Sequence, residues 1–264
     1  MYPKNRQDGE SELTYIEIEE PPVTQSPSVV TLPLQLESNF QHYCRRMLDI
    51  IFSSVVLILT LPIMVILAII IRRDTPGPAL FRQTRMSIDR RERQRRRTRK
   101  SVVDQRQKPM AGRPFTFLKF RTMYVNAREL FPELYAYNYT DKEIQEIKFK
   151  VSDDPRVTPV GRWLRKTSLD ELPNFWNVLR GDMTLCGPRP EIPEMSSYYT
   201  TAQLLKFKVV AGVTGPAQVN GRGELTFQET AKIDAQYVSK RTLKGDLILI
   251  ARTIIAVVLR RGAS

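Results

Sequence analysis

One apolar run constrains this chain more than any other feature. Residues 50–71 are apolar but for Ser53, Ser54, Thr60 and Pro62. About 22 helical residues at ~1.5 Å rise each reach ~33 Å, enough to cross a hydrocarbon core of ~30 Å. Length therefore permits a single-pass anchor. Two features point to a different path. Arg45 and Arg46 precede the run and Arg72 and Arg73 follow it, so neither end is a natural one to translocate when Lys and Arg stay cytoplasmic. Pro62 stands mid-run, where it removes a backbone hydrogen bond and bends the helix. A bent helix over 45–73 that enters and leaves on one face satisfies both, each arm of about ten residues reaching a single leaflet. Thr60, with Ser53 or Ser54, would bond the carbonyls freed at the bend.

A chain of 264 residues makes one or two domains and can build a core without disulfides. Residues 1–38 are polar, with Pro3, Pro21, Pro22, Pro27 and Pro33 scattered among Glu, Ser and Thr. They read as a mobile tail with neither the charged start nor the cleavage site of a signal peptide. The remainder, 39–264, reads as one domain. Strand-like runs stand at 79–82 and 114–120, and helical patterns at 125–135, 141–150, 158–166 and 172–179. Residues 243–259 are strongly apolar but interrupted by Gly245, Asp246 and Arg252. Too short to span, they predict a helix lying at the membrane interface or packed on the core.

Charge narrows the partners. A net charge of +13 favours an anionic one: phospholipid headgroups, a nucleotide diphosphate or nucleic acid. Much of the excess falls in 87–110, where Arg and Lys crowd residues 90–100 and recur at Arg106 and Lys108. With almost nothing apolar to bury, this segment predicts a flexible loop or fraying helix. The single histidine, His42, leaves none for a triad or a His-rich metal site. Cys44 and Cys186 lack partner spacing, which suggests neither zinc nor a disulfide and fits a reducing cytoplasm. An acid, base or nucleophile must come mostly from Asp, Glu, Lys or Arg.

Such a set stands in the second half. Asp170 and Glu171, within Ser-Leu-Asp-Glu-Leu-Pro, are followed by Arg180-Gly181-Asp182 and then by Gly187-Pro188-Arg189-Pro190-Glu191. Carboxylates beside a fixed guanidinium suit chemistry on a phosphate ester: the acid attacks or holds a divalent cation while Arg clamps phosphate oxygens. The prolines flanking Arg189 leave its backbone little freedom. Lys119 and Arg121 alternate with Phe120 on the expected strand, which would put both cations on one face, either toward a substrate or toward solvent. Asp182 would support the loop or a metal, and Asn220, Gly221 and Arg222 would help bind a nucleotide sugar or close a turn.

Five stretches in series resemble the bacterial sugar transferases, the monotopic polyprenyl-phosphate phosphoglycosyl transferases. They are the apolar segment with its basic lead-in, Gly-Pro-Ala-Leu-Phe-Arg-Gln at 77–83, Phe-Thr-Phe-Leu-Lys-Phe-Arg-Thr-Met at 115–123, the block 154–191, and Gly-Pro-Ala-Gln-Val-Asn-Gly-Arg at 215–222. The resemblance implies an α/β fold: a small globular catalytic unit with a re-entrant membrane helix broken at Leu61-Pro62, and interfacial amphipathic helices. It also implies transfer of a sugar-1-phosphate from a UDP-sugar to undecaprenyl (polyprenyl) phosphate with release of UMP, at the cytoplasmic face of the bacterial inner membrane, initiating a surface polysaccharide. Asp170 would be the nucleophile, Glu171 its partner as Mg2+ ligand or acid-base group, and Arg189, Lys119, Arg121 and Arg222 would bind substrate phosphate. Two departures stand out. The basic segment 87–110 replaces a short glycine turn, and Cys186 replaces a small aliphatic residue. Beside the membrane, the insertion would bind anionic lipid, at ~1 kcal/mol per Lys or Arg. The rival readings are a membrane-tethered nucleic-acid-binding protein, which leaves the Asp-Glu pair unexplained, and a silent scaffold, which intact Asp170, Glu171 and Arg189 argue against. The identity of the sugar is not encoded in any motif, and a homo-oligomer stays open.

Overall fold

A computed structural model describes residues 38–88, 112–148, 151, 153–221 and 224–259. All of the expected tail at 1–38 except Ser38, the core of the basic insertion at 89–111, and Arg222 lie outside the described residues.

The apolar run is one helix, α1 (Asn39–Asp74), of 36 residues, capped by Ser38, whose hydroxyl accepts from the Gln41 N–H. Pro62 lies inside it without ending it, and Leu61 is 59% exposed. The carbonyl that Pro62 deprives of its helical donor is that of Ile58, four residues back. Thr60, expected to serve it, donates instead to the Val56 carbonyl at 2.7 Å, because a helical Thr hydroxyl reaches its own i−4 carbonyl. The Ser53 hydroxyl is buried without a hydrogen-bond partner among the described residues.

Both ends of α1 are tied to the same globular unit. Near its start, Arg45 Nε donates to Asp246 Oδ2 at 2.6 Å, and Asp49 accepts from Thr184 Oγ1 at 3.0 Å and from the Leu185 N–H at 2.8 Å. Near its end, Leu67 and Ile71 bury against Ala79, Phe120 and Leu164. Its middle is bare, with Ile58 72% and Leu59 70% exposed.

An antiparallel hairpin follows, β1 (Leu80–Ser87) with β2 (Arg113–Phe120), in register from Leu80 opposite Phe120 to Ser87 opposite Arg113. β1 runs past the expected end at residue 82 because β2 supplies a partner along its whole length. The basic insertion joins the far ends of these strands. The helix expected over 125–135 is instead a single turn, α2 (Ala127–Leu130), and a 3-10 turn (Pro132–Tyr135). Pro132 causes the break, since it lacks an N–H and forces Phe131 out of helical geometry, at φ −136°, ψ 61°. Among the described residues of the expected 141–150 helix, only Glu143–Glu146 forms one, as α3; Ile147 is extended and its carbonyl accepts from the Phe227 N–H at 2.9 Å.

The later elements fall close to expectation: α4 (Pro159–Thr167), α5 (Asn174–Arg180) and, at the end of the described chain, the helix Leu243–Val258. A short parallel pair, β3 (Thr184–Cys186) with β4 (Gly212–Thr214), lies between, so the unit mixes helices with two small sheets. After β4 come α6 (Pro216–Gly221) and α7 (Phe227–Lys240), and the helix at Leu243–Val258 is α8. The periodicity reading overlooked α7, although its capping box was legible: Thr226 Oγ1 accepts from the Glu229 N–H and the Glu229 carboxylate accepts from the Thr226 N–H. α7 buries Phe227 and Ala231 against Met195, Tyr199 and Phe207. In α8, two expected interruptions have local roles. Gly245 donates its N–H to the capping Thr242 hydroxyl, and Asp246 is the buried partner of Arg45. Leu247, Ile248, Ile254, Ile255 and Leu259 are left exposed.

Candidate active site

Asp170 owes its position to a sharp reversal between two helices. Thr158 caps α4 by accepting from the Gly161 N–H at 2.9 Å, with Pro159 in the first turn. Gly161 lets the helix lie against the segment just after β2, since a Cβ there would stand 2.1 Å from the Thr122 carbonyl oxygen. Ser168 then adopts the left-handed conformation at φ 57°, and Leu169–Glu171 forms a 3-10 turn leading into α5. Asn177 of α5 clips this corner to the hairpin: its amide donates to the Thr116 carbonyl at 2.7 Å and its oxygen accepts from the Leu118 N–H at 3.0 Å. Fully buried, it satisfies the outer edge of β2 and brings Lys119 alongside the turn.

Asp170 is buried, 7% exposed. Burial pushes its carboxyl up to about 6, Glu171 adds to the rise, and Lys119, Arg165 and Arg189 oppose it. Lys119 is its complement: burial brings the ammonium down to about 8 against the pull of Asp170, while Arg165, Arg189 and Arg85 push the same way as burial. Glu171 turns outward, its carboxylate 3.7 Å from the Arg189 guanidinium, and both side chains remain accessible. The expected pair thus divides into a buried carboxylate and an accessible one, with Lys119 and Arg189 gathered beside them.

Arg121 also lines the cleft beside these groups, but its guanidinium is bound to the end of α1. Its guanidinium donates to the Pro78 carbonyl, to the Thr75 hydroxyl and carbonyl, and to the Ile71 carbonyl. The strand ends at Phe120, so the expected alternation no longer aims residue 121, and the unsatisfied carbonyls at the end of α1 attract the cation. Asp182 pairs with Arg180 at 3.3 Å. Gly221 ends α6, where a Cβ would stand 2.2 Å from Leu225 Cγ.

Two cations not singled out from sequence join the site. Arg165, on the last turn of α4, donates to Thr122 Oγ1 at 3.1 Å and acts on Asp170. Arg85 of β1 lies on the Lys119 face of the hairpin, stacks 5.6 Å from the Phe117 ring and donates to the Pro190 carbonyl at 3.3 Å. Burial holds the Arg85 guanidinium down at about 10. The cleft around these groups, about 2230 Å³, continues from Asp170 to an apolar wall that includes Phe52 and Val56 of α1 and Ile250 and Ile254 of α8. That exceeds the ~300–1,000 Å³ of a site for one small ligand. The arrangement offers a buried carboxylate, several fixed cations that suit an anion, and an adjoining apolar surface.

The sequence pattern of the bacterial sugar transferases matches residues 40–109 and 93–260 of this chain. The galactosyl transferase CpsE of Streptococcus agalactiae is 33% identical over 237 residues, 89% of this chain and 47% of that protein. The undecaprenyl-phosphate galactose phosphotransferase of Salmonella typhimurium is 33% identical over 240 residues, 90% of this chain and 46% of that protein. The UDP-glucose:undecaprenyl-phosphate glucose-1-phosphate transferase of Klebsiella pneumoniae is 35% identical over 218 residues, 80% of this chain and 39% of that protein. The chain spans less than half the length of each of these relatives.

Proposed function

The chain belongs to the bacterial sugar transferase family, and from that premise we propose that it moves a sugar-1-phosphate from a UDP-sugar to undecaprenyl phosphate, releasing UMP. One observation carries this reading: a buried carboxylate, Asp170, among Lys119, Arg165 and Arg189, in a cleft that runs on to apolar side chains of α1 and α8. In the first half, an Asp170 oxygen bonds to the β-phosphorus as the bridging oxygen leaves with UMP. In the second, an oxygen of the lipid phosphate bonds to the same phosphorus and the Asp170 carboxylate is regenerated. The cations hold the diphosphate oxygens and offset the charge that two anions bring together. Two adjacent carboxylates fit Mg2+, which is held by one or two carboxylates with water and substrate oxygens completing the shell; no cluster of three candidate ligands occurs among the described residues. Asp170 and Glu171 would hold the ion, which when bound neutralises phosphate charge. Membranes containing the protein, incubated with several radiolabelled UDP-sugars, should pass label into the lipid phase with release of UMP. No lipid label from any of them would overturn the proposal.

The acid limb of the rate profile follows from Asp170 and the alkaline limb from Lys119. The nucleophile must be ionised and the cation protonated, so kcat/KM should fall above a pH of about 8. On the acid side it should fall below a limit that bound Mg2+ shifts down from the metal-free value of about 6. Lys119→Arg should keep the acid limb and lose the alkaline one, since an arginine does not titrate there.

The same reading places the protein on the cytoplasmic leaflet, with α1 re-entrant. The ties from both ends of α1 to one globular unit support it, as do its bare middle and the exposed apolar side chains of α8. Exposed Trp163 and Trp176 suit the headgroup layer, as interfacial aromatics do. In a variant freed of Cys44 and Cys186, single cysteines near residues 40 and 75 should both be shielded from an impermeant reagent in whole cells. Labelling of the upstream site from outside would contradict the re-entrant path.

A further inference from the structure

We propose that Tyr137 is the platform on which the nucleobase of the nucleoside diphosphate donor stacks, with Arg85 spanning the gap between that platform and the phosphate-binding cations. The proposal rests on the transferase reading and assigns the nucleoside end of its cleft. Tyr137 lines the same cleft as Asp170, Lys119 and Arg189. Its φ is 46°, a left-handed conformation that a bulky side chain rarely adopts. The surroundings enforce it: the Tyr198 hydroxyl donates to the Tyr137 carbonyl at 2.9 Å and accepts from the Tyr139 N–H at 2.9 Å. Backbone strain held in this way beside a reactive centre signals a functional constraint.

The neighbouring aromatic faces are occupied. Arg156 lies 5.0 Å from the Tyr135 ring centre, and the Tyr139 and Tyr198 rings stand 5.9 Å apart. Tyr137 is half-buried, packed in part against the core around Ile192 and Met195, and among the described residues no ring or cation is stacked on it. The charged groups that act on it are Arg85, Glu194 and Arg156, and Arg85 also faces Arg189 and Glu191. Polar groups therefore run from Asp170 through Arg189 and Arg85 to Tyr137. On the α1 and α8 side the wall is apolar and its ring, Phe52, is packed 6.0 Å from Phe175, which suits a hydrocarbon chain. An aromatic face binds any base by stacking, so Tyr137 would set affinity for the nucleoside more than the choice of base.

The full chain in detergent, as wild type, Tyr137→Ala and Tyr137→Phe, would be titrated with UDP and with inorganic pyrophosphate. Tyr137→Ala should weaken UDP about tenfold while pyrophosphate and the Phe variant stay within about twofold of wild type, the pattern of a lost stacking contact. In turnover, the KM for the nucleotide sugar should rise with the KM for polyprenyl phosphate unchanged. Parallel weakening of UDP and pyrophosphate would mean that the loop itself had collapsed, and would overturn the platform. Unchanged UDP affinity in Tyr137→Ala would overturn it while leaving the transferase reading intact. A wild type that neither binds UDP nor transfers sugar phosphate would remove both.

Discussion

Asp170→Asn is expected to lose at least about three orders of magnitude in transfer, because on the proposed reaction the amide cannot form the bond to phosphorus on which both half-reactions depend. Mass spectrometry of the intact protein after brief exposure to its UDP-sugar should find a phosphosugar adduct on the wild type and none on the variant; substantial turnover by the variant would contradict the assignment. The same change should not harm the fold. The native carboxyl titrates near 6, above its ordinary value of 3.8, chiefly through burial. The native state therefore takes up a proton more readily than the unfolded chain between those values, and the wild type loses stability as pH rises through that window. Above it, Asn removes a buried charge without changing shape, so the variant should melt no lower than the wild type and be more stable by ~1 kcal/mol or more. An inactive variant that also melts several degrees lower at pH 7.5 would show that Asp170 serves the fold.

The largest expected loss of stability belongs to Lys206→Met. Lys206 is 3% exposed. Its ammonium lies 2.9 Å from the Tyr199 hydroxyl, 3.2 Å from Asp234 Oδ2 and 3.6 Å from Glu191 Oε2. Tyr199 in turn donates to Glu191 at 2.5 Å, which fastens the loop carrying Arg189 to the core. Removing the cation strands buried carboxylates, at a cost of ~3–5 kcal/mol, and should lower Tm by roughly 10 °C. The deficit has a sign in pH. Burial already raises the Asp234 carboxyl, with Lys206 opposing that rise. Without Lys206 the carboxyl moves higher still, so the deficit should be greatest near neutrality and shrink as acidification protonates it. Asp234→Asn in the same background should recover part of the Tm; a deficit that ignores both pH and this second change would refute the charge argument.

What the sequence disclosed followed range. α1, the Asp-Glu pair and the Pro-Arg-Pro loop are short-range patterns; the apolar helix forms where its residues predict, although the break expected at Leu61-Pro62 does not interrupt it. Arg121 is not aimed by the strand alternation, which ends one residue earlier, and nothing local announces that the end of α1 will lie against it. Arg165 is five places before Asp170, but its approach depends on the left-handed turn at Ser168, a conformation that serine seldom adopts. Arg85 joins Lys119 only through the hairpin register, which the basic insertion hides from a linear reading. The helix expected at 125–135 failed on a visible cue, Pro132, that hydrophobic spacing outweighed.

The bonds from Arg121 to the end of α1 carry a further consequence. Arg121 is two residues from Lys119, and its guanidinium binds carbonyls on the last turn of the greasy helix. On the proposed topology, the helix floats at the level where its arginine flanks meet the headgroups, and this short lever fixes the elevation of the catalytic turn above that plane. The lipid phosphate rides at the same elevation by its own chemistry. Reactant and nucleophile are thus levelled by one surface, and their search for each other is reduced from a volume to a plane.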